Sequence, residues 1–101
     1  MQKCYEFGNL IDTYEIMPKD GRKSFYGKAT VYRYENGEVL KSYDTKVFAR
    51  YKDGEWLRLW YSWSATTGRH VASFADKNKA EYYEAPLYRW SDSLNMATLE
   101  D

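Results

Sequence analysis

His70 is the only histidine in this chain, so acid–base or nucleophilic chemistry near neutral pH would have to be built around it. A triad needs a nucleophile, a base and a group that orients the base. Ser64, Thr66 and Ser73 are near enough in sequence to supply the hydroxyl, and Asp44 could approach from a neighbouring strand. The spacing selects none of these combinations. His70 lies instead on the apolar stripe of a predicted helix, where a core histidine bonded to a neighbour is expected. Cys4 is the only cysteine, which excludes an internal disulfide and a cysteine zinc cluster. A thiol–imidazole pair of Cys4 with His70 has no spacing in its favour. The carboxylate pairs Asp12/Glu15 and Glu81/Glu84 read as surface charges, and no His/Cys/Asp group has metal-ligand spacing. The expectation is no catalytic residue, no metal and no cofactor: a protein that is not an enzyme.

Binding chemistry is better represented. The stretch Glu55–Phe74, EWLRLWYSWSATTGRHVASF, holds three of the four tryptophans as well as His70. Glu55–Trp63 alternates like a strand, with Leu57, Leu59, Tyr61 and Trp63 on one face and Trp56, Arg58, Trp60 and Ser62 on the other. The leucine face is the natural core face. The Trp56/Arg58/Trp60 face is then either covered by a second layer, with Arg58 across an indole, or free as an aromatic–cationic contact surface. Ser64, Thr66 and Thr67 are competent helix N-caps; with Gly68 and Arg69 they could also form an anion site. Capping is the usual role of such residues, and a phosphate loop would need more glycine and a following lysine.

These residues require a sheet and a helix to position them. A strand is expected over about Leu10–Met17 and a turn over 18–21. Gly27–Glu35 follows as a strand, with Ala29, Val31 and Arg33 on one face. Asn36-Gly37 signals a two-residue type I′ hairpin leading into Glu38–Tyr43. Val47–Tyr51 is the next strand, or the same one beyond a bulge at Asp44-Thr45. Asp53-Gly54 turns the chain into Glu55–Trp63. A helix is expected over about 65–79, its stripe formed by His70, Val71, Phe74 and Ala75, with Lys77 and Lys79 at its C-terminal end. Beyond it Pro86 interrupts the pattern, and an irregular C-terminal arm is expected, with Ser91 able to cap a short helix over Asp92–Leu99. The fold class is therefore α+β: an antiparallel meander of three to five strands carrying one main α-helix.

The 101 residues suit one domain. Net charge is zero, against the strong positive balance of a dedicated nucleic-acid binder. No long apolar run or leader pattern is present, so no membrane association is expected and the chain reads as cytoplasmic. The aromatic share is 19%, with 11 tyrosines, which favours β faces and wet interfaces alike.

The runs RKSFYGKA, LKSYDTKV, RLW and SATTGRH, in this order, resemble small uncharacterised proteins encoded by phages and other mobile elements of Gram-positive bacteria. The likeness covers about half the chain and departs from the pattern at Tyr61, Ser62 and Trp63, where relatives often carry glycines. It implies a mobile-element origin and a host-cell cytoplasmic location, without supplying a mechanism. Two partners follow as expectations. One is a protein, for instance a component of a host defence system, met through Trp56, Arg58, Trp60, Arg50 and Tyr51. The alternative is nucleic acid, met by Lys19, Arg22, Lys23, Lys28, Arg50, Lys52 and Arg58 interleaved with Tyr26, Tyr32, Tyr51 and Trp56. A homodimer formed by the same aromatic face or by a sheet edge is the third.

Overall fold

The structure is a computed structural model and describes residues 3–18 and 25–100. The turn expected over 18–21 extends outside the described residues, and Lys19, Arg22 and Lys23 lie outside them.

The molecule is built on a five-stranded antiparallel sheet that follows chain order: β2 (Leu10–Glu15), β3 (Ala29–Tyr34), β4 (Gly37–Ser42), β5 (Thr45–Tyr51) and β6 (Trp56–Arg58). Ahead of it stands β1 (Cys4–Glu6), which the sequence pattern does not reveal. Alternation works as expected in β3 and β4. Ala29, Val31, Leu40 and Phe48 point to one face and are buried with Val47, Val71 and Tyr82. Tyr34, Val39, Ala49 and Leu57 point to the other and are buried with Tyr5, Phe7, Leu59, Tyr88 and Ala97. Strands β3 to β5 are therefore covered on both faces, each face with its own apolar cluster, while β2 is exposed along its length.

Helices cover the first face. Helix α1 spans Ala65–Ala75 and starts on Ser64, whose side chain accepts from the Thr67 N–H. The expected continuation to Lys79 does not occur. Asp76 adopts a left-handed φ of 54°, which ends α1, and Asn78 starts a second helix, α2 (Lys79–Glu84). Asn78 and Glu81 form a reciprocal capping box, so Lys79 lies in a first turn rather than a last one.

The second face is covered by a three-stranded antiparallel sheet, in the order β1-β8-β7, where β7 is Tyr88–Ser91 and β8 is Met96–Leu99. This replaces the expected irregular arm and the helix over Asp92–Leu99. Tyr88, Trp90 and Ala97 alternate inward and pack on the open face of the central sheet, so tertiary burial decides the conformation of a segment with weak local preference. The last residues of this hairpin are tied in as well, by Leu99 N–H to the Lys3 carbonyl and Glu100 N–H to the Leu87 carbonyl, 2.8 and 3.0 Å.

Two hairpins differ from their sequence signals. Tyr34 pairs with Gly37, so the two turn residues are Glu35 and Asn36, and neither Asn36 nor Gly37 adopts a positive φ. The turn is therefore not type I′. Asn36 is held instead by its N–H to the Phe7 carbonyl and its side-chain amide to the Glu6 carbonyl. Gly37 is required by space, since a Cβ there would lie 2.5 Å from the Arg50 carbonyl oxygen and 2.7 Å from the Phe7 ring. The next hairpin turns at Tyr43-Asp44, so β5 is a separate strand and not a continuation of β4.

Candidate functional site

The strand expected over Glu55–Trp63 is regular only from Trp56 to Arg58. The Leu59 N–H still reaches the Val47 carbonyl of β5, while the Arg58 N–H, on the opposite edge, is taken by the Pro86 carbonyl beside a parallel bridge to Leu87. Residues 59–64 then form an irregular corner before α1. This breaks up the expected Trp56/Arg58/Trp60 face. Trp56 is half-buried under α1, stacked on Phe48 at 5.3 Å with planes 10° apart and met edge-on by Phe74. Arg58 crosses tyrosines rather than an indole: its guanidinium lies 5.1 Å from the Tyr83 ring and 5.8 Å from the Tyr82 ring. Its Nε is buried without a hydrogen-bond partner. Trp60, 36% exposed, lies 4.5 Å from the ring of Tyr61, which is 65% exposed.

Trp60 and Tyr61 stand beside a cleft of about 430 Å³ at the seam between the two sheets. Leu59, Leu87, Tyr88 and Trp90 contribute its apolar wall. Its charged groups are largely paired. Lys46 donates to Asp92 at 2.7 Å and Trp90 Nε1–H donates to the same oxygen at 2.9 Å. The Lys46 hydrogen bond in particular holds the Asp92 carboxyl below the usual carboxylate range. Arg89 pairs with Glu100 at 2.9 Å. Tyr82 anchors the corner from beneath, its hydroxyl donating to the carbonyls of Trp60 and Val47 at 2.6 and 3.2 Å.

Arg50 and Tyr51 lie away from this cleft; Arg50 is paired with Trp56 across the β5–β6 ladder, its guanidinium 5.9 Å from the Trp56 ring. Arg50 is tied to Glu38 at 2.9 Å, and the Tyr14 hydroxyl donates to the other oxygen of that carboxylate. Burial, assisted by Glu38, pushes the Tyr14 phenol up to about 12. Tyr51 donates to the Glu6 carbonyl and packs against Tyr5 and Phe7, so it joins β1 to the central sheet. Of the five residues picked from the sequence, Arg50 and Trp56 thus meet, whereas Arg58 lies over Tyr82 and Tyr83 and Trp60 stands with Tyr61 at the seam cleft.

The histidine has a partner that sequence spacing missed. Ser42 Oγ lies 2.7 Å from His70 Nδ1, and both residues are buried. Ser64, Thr66, Ser73 and Asp44 do not take that place. Ser42 faces α1 because it shares a sheet face with Leu40 two positions earlier, a relation visible only once the β4 register is known. Phe25 meets the imidazole edge-on at 4.5 Å and Tyr43 lies 5.8 Å away. Burial first, and the Arg69 charge second, lower the imidazole pKa. A serine–imidazole pair sealed in this way positions α1 on β4.

The residues considered for an anion site are distributed differently. The Thr67 N–H is taken by Ser64 Oγ at 3.0 Å, and Thr67 Oγ1 accepts from the same hydroxyl. Thr66 is half-buried in the first turn of α1. Gly68 is buried against Trp63, where a Cβ would lie 2.5 Å from the indole. Arg69 extends outward with its guanidinium 5.2 Å from the Phe25 ring. Among the described residues no group of three His, Cys, Asp or Glu side chains could hold a metal ion. Among the described residues no helix is long and apolar enough to cross a membrane.

Residues 14–89 match the model of a family of unknown function (DUF8033). The match takes in β3 to β6 and both helices and leaves β1 and β8 outside. No curated protein and no solved structure matches the chain.

Proposed function

The chain belongs to the DUF8033 family of unknown function, and from that premise we propose that it acts by binding another protein, without catalysis of its own. The observation that carries this reading is the Trp60–Tyr61 pair. Large aromatic residues are the commonest anchors of protein interfaces, and these two are exposed beside a concave apolar wall at the sheet seam. The corner that carries them is held in place by Tyr82, which favours a preformed contact surface. The resemblance of RKSFYGKA, LKSYDTKV and SATTGRH to phage and mobile-element proteins makes a host or phage protein the natural partner, such as a component of a host defence system, met in the host cytoplasm.

Nucleic acid is the weaker reading. The chain's net charge is zero, and Arg50, one of the cations expected to meet phosphates, is already matched by Glu38. The test is capture of partners from a Gram-positive host lysate with the tagged chain, with and without nuclease, beside a Trp60→Ala/Tyr61→Ala variant. A specific protein that survives nuclease and is lost with the variant is the expected result. Recovery of nucleic acid, or a protein retained equally by the variant, would overturn the assignment of this surface.

A further inference from the structure

Strand β2, LIDTYE, forms one edge of the central sheet, and each of its residues is exposed. The opposite edge, β6, is shorter and is met by Pro86 and Leu87. The Ile16 N–H bonds the Ala29 carbonyl, so by alternation Tyr14 turns its backbone groups to β3 while Thr13 and Glu15 turn theirs outward. Folded sheets commonly blunt such an edge with lysine, proline or a covering element. Strand β2 contains neither residue, and its defence is the bulge between Leu10 and Asp12, which leaves Thr13 to Glu15 regular. Asp12 is paired with Arg33 at 2.9 Å within the sheet. Ile11, Tyr14 and Met17 are large apolar side chains exposed along this edge.

We infer that β2 docks a second copy of this chain, antiparallel across a two-fold axis, so that two central sheets join edge to edge. The occupant follows from the strand's own sequence. Residues opposite each other in a continuous sheet share a face, so the two-fold axis must pass beside a residue and not between two. Centring on Asp12 or on Glu15 sets like carboxylates directly opposite, which is unfavourable. Centring on Thr13 sets the apolar Ile11 against Glu15. Centring on Tyr14 sets Tyr14 beside its counterpart, Thr13 against Glu15, and Asp12 against the half-buried Ile16, and it turns Ile11 toward Met17. Of these registers, the one centred on Tyr14 keeps the carboxylates apart and matches apolar with apolar. It also joins the outward backbone groups of Thr13 to those of Glu15 in the second copy, as reciprocal hydrogen-bonded pairs on both sides of the axis. The interface lies at the sheet edge opposite β6 and does not rest on the Trp60–Tyr61 reading.

The experiment is sedimentation velocity of the full chain from micromolar to millimolar concentration, with amide hydrogen exchange at both ends of that range. A dimer that forms with concentration is expected, with exchange at Thr13 and Glu15 slowing as it forms. Thr13→Glu sets a carboxylate opposite Glu15 of the second copy and should weaken association about tenfold, the effect of a like-charge pair on each side of the axis. Thr13→Glu/Glu15→Lys sets opposite charges across the same pairs and should restore it. Both positions are exposed, and circular dichroism checks that each variant folds. Trp60→Ala/Tyr61→Ala should dimerise like the unsubstituted chain. A monomer at every concentration overturns the inference, as does a dimer whose Thr13 and Glu15 amides exchange no more slowly. So does a dimer indifferent to Thr13→Glu, one not restored by the added Glu15→Lys, or one lost with Trp60→Ala/Tyr61→Ala.

Discussion

His70 shows how far residue types alone can be read. Its burial and its bond to a neighbour follow from its place on an apolar stripe, and the structure places it there, fully buried. The identity of the neighbour does not follow. Ser42 is distant in sequence and reaches His70 only through the pairing of β4 with β3 and the docking of α1. The consequence is a pH dependence with a definite sign. Burial lowers the imidazole pKa in the fold below the ordinary histidine value of 6.5, so the unfolded chain binds the proton more readily. The contribution of His70 is therefore complete above that value and is lost as pH falls through it toward the folded pKa. Urea unfolding at pH 7.5 and 5.5 should show a loss of stability on acidification that is smaller in a His70→Gln variant. An identical loss in the two proteins would remove His70 as its source. Gly37 carries the opposite lesson. Its neighbour Asn36 suggests a turn that needs positive φ, whereas the glycine is needed because the Arg50 carbonyl and the Phe7 ring leave no room for a side chain.

At the scale of elements, the meander was legible because β3 and β4 alternate and Asn36-Gly37 and Asp53-Gly54 mark reversals of the chain, even though the first turn falls one residue earlier than its signal. The break between α1 and α2 was equally present in the sequence, as Asn78 with Glu81, but a continuous apolar stripe and two lysines suggested one longer helix. The C-terminal hairpin was not legible, since Pro86 and mixed polarity hide an alternation that matters only against an existing sheet. Helix α2 has a further duty. Through Tyr82 it fixes the irregular corner that displays Trp60 and Tyr61. A Tyr82→Phe variant leaves the Val47 and Trp60 carbonyls without this donor and should cost about 1–3 kcal/mol. Hydrogen exchange should become faster over residues 59–64 in particular. Unchanged exchange there would mean that the corner is held by Trp63 and Leu59 instead.

At the scale of the molecule, the central sheet is shared by two apolar clusters, one under the helices and one under the small sheet. Strands β3, β4 and β5 contribute to both, so neither layer is an independent unit. Thermal unfolding should accordingly be a single transition in near- and far-ultraviolet dichroism. Tyr88→Ala in the second cluster should lower stability by about 3–5 kcal/mol without splitting that transition. Two separated transitions would show the layers to be autonomous. The candidate sites could not be read at this scale from sequence: Trp56 and Trp60, four residues apart, belong to different clefts because the strand ends between them. The position of β8 between β1 and β7 has a consequence for biosynthesis. Strand β1 is synthesised well ahead of its partner β8 and stays unpaired until the segment around Ala97 follows it out of the ribosome. Until then Tyr34, Val39, Ala49 and Leu57 face solvent on one side of a nascent sheet. Strand β8 thus seals this face, and a stalled chain lacking it would present an open greasy surface to chaperones and proteases.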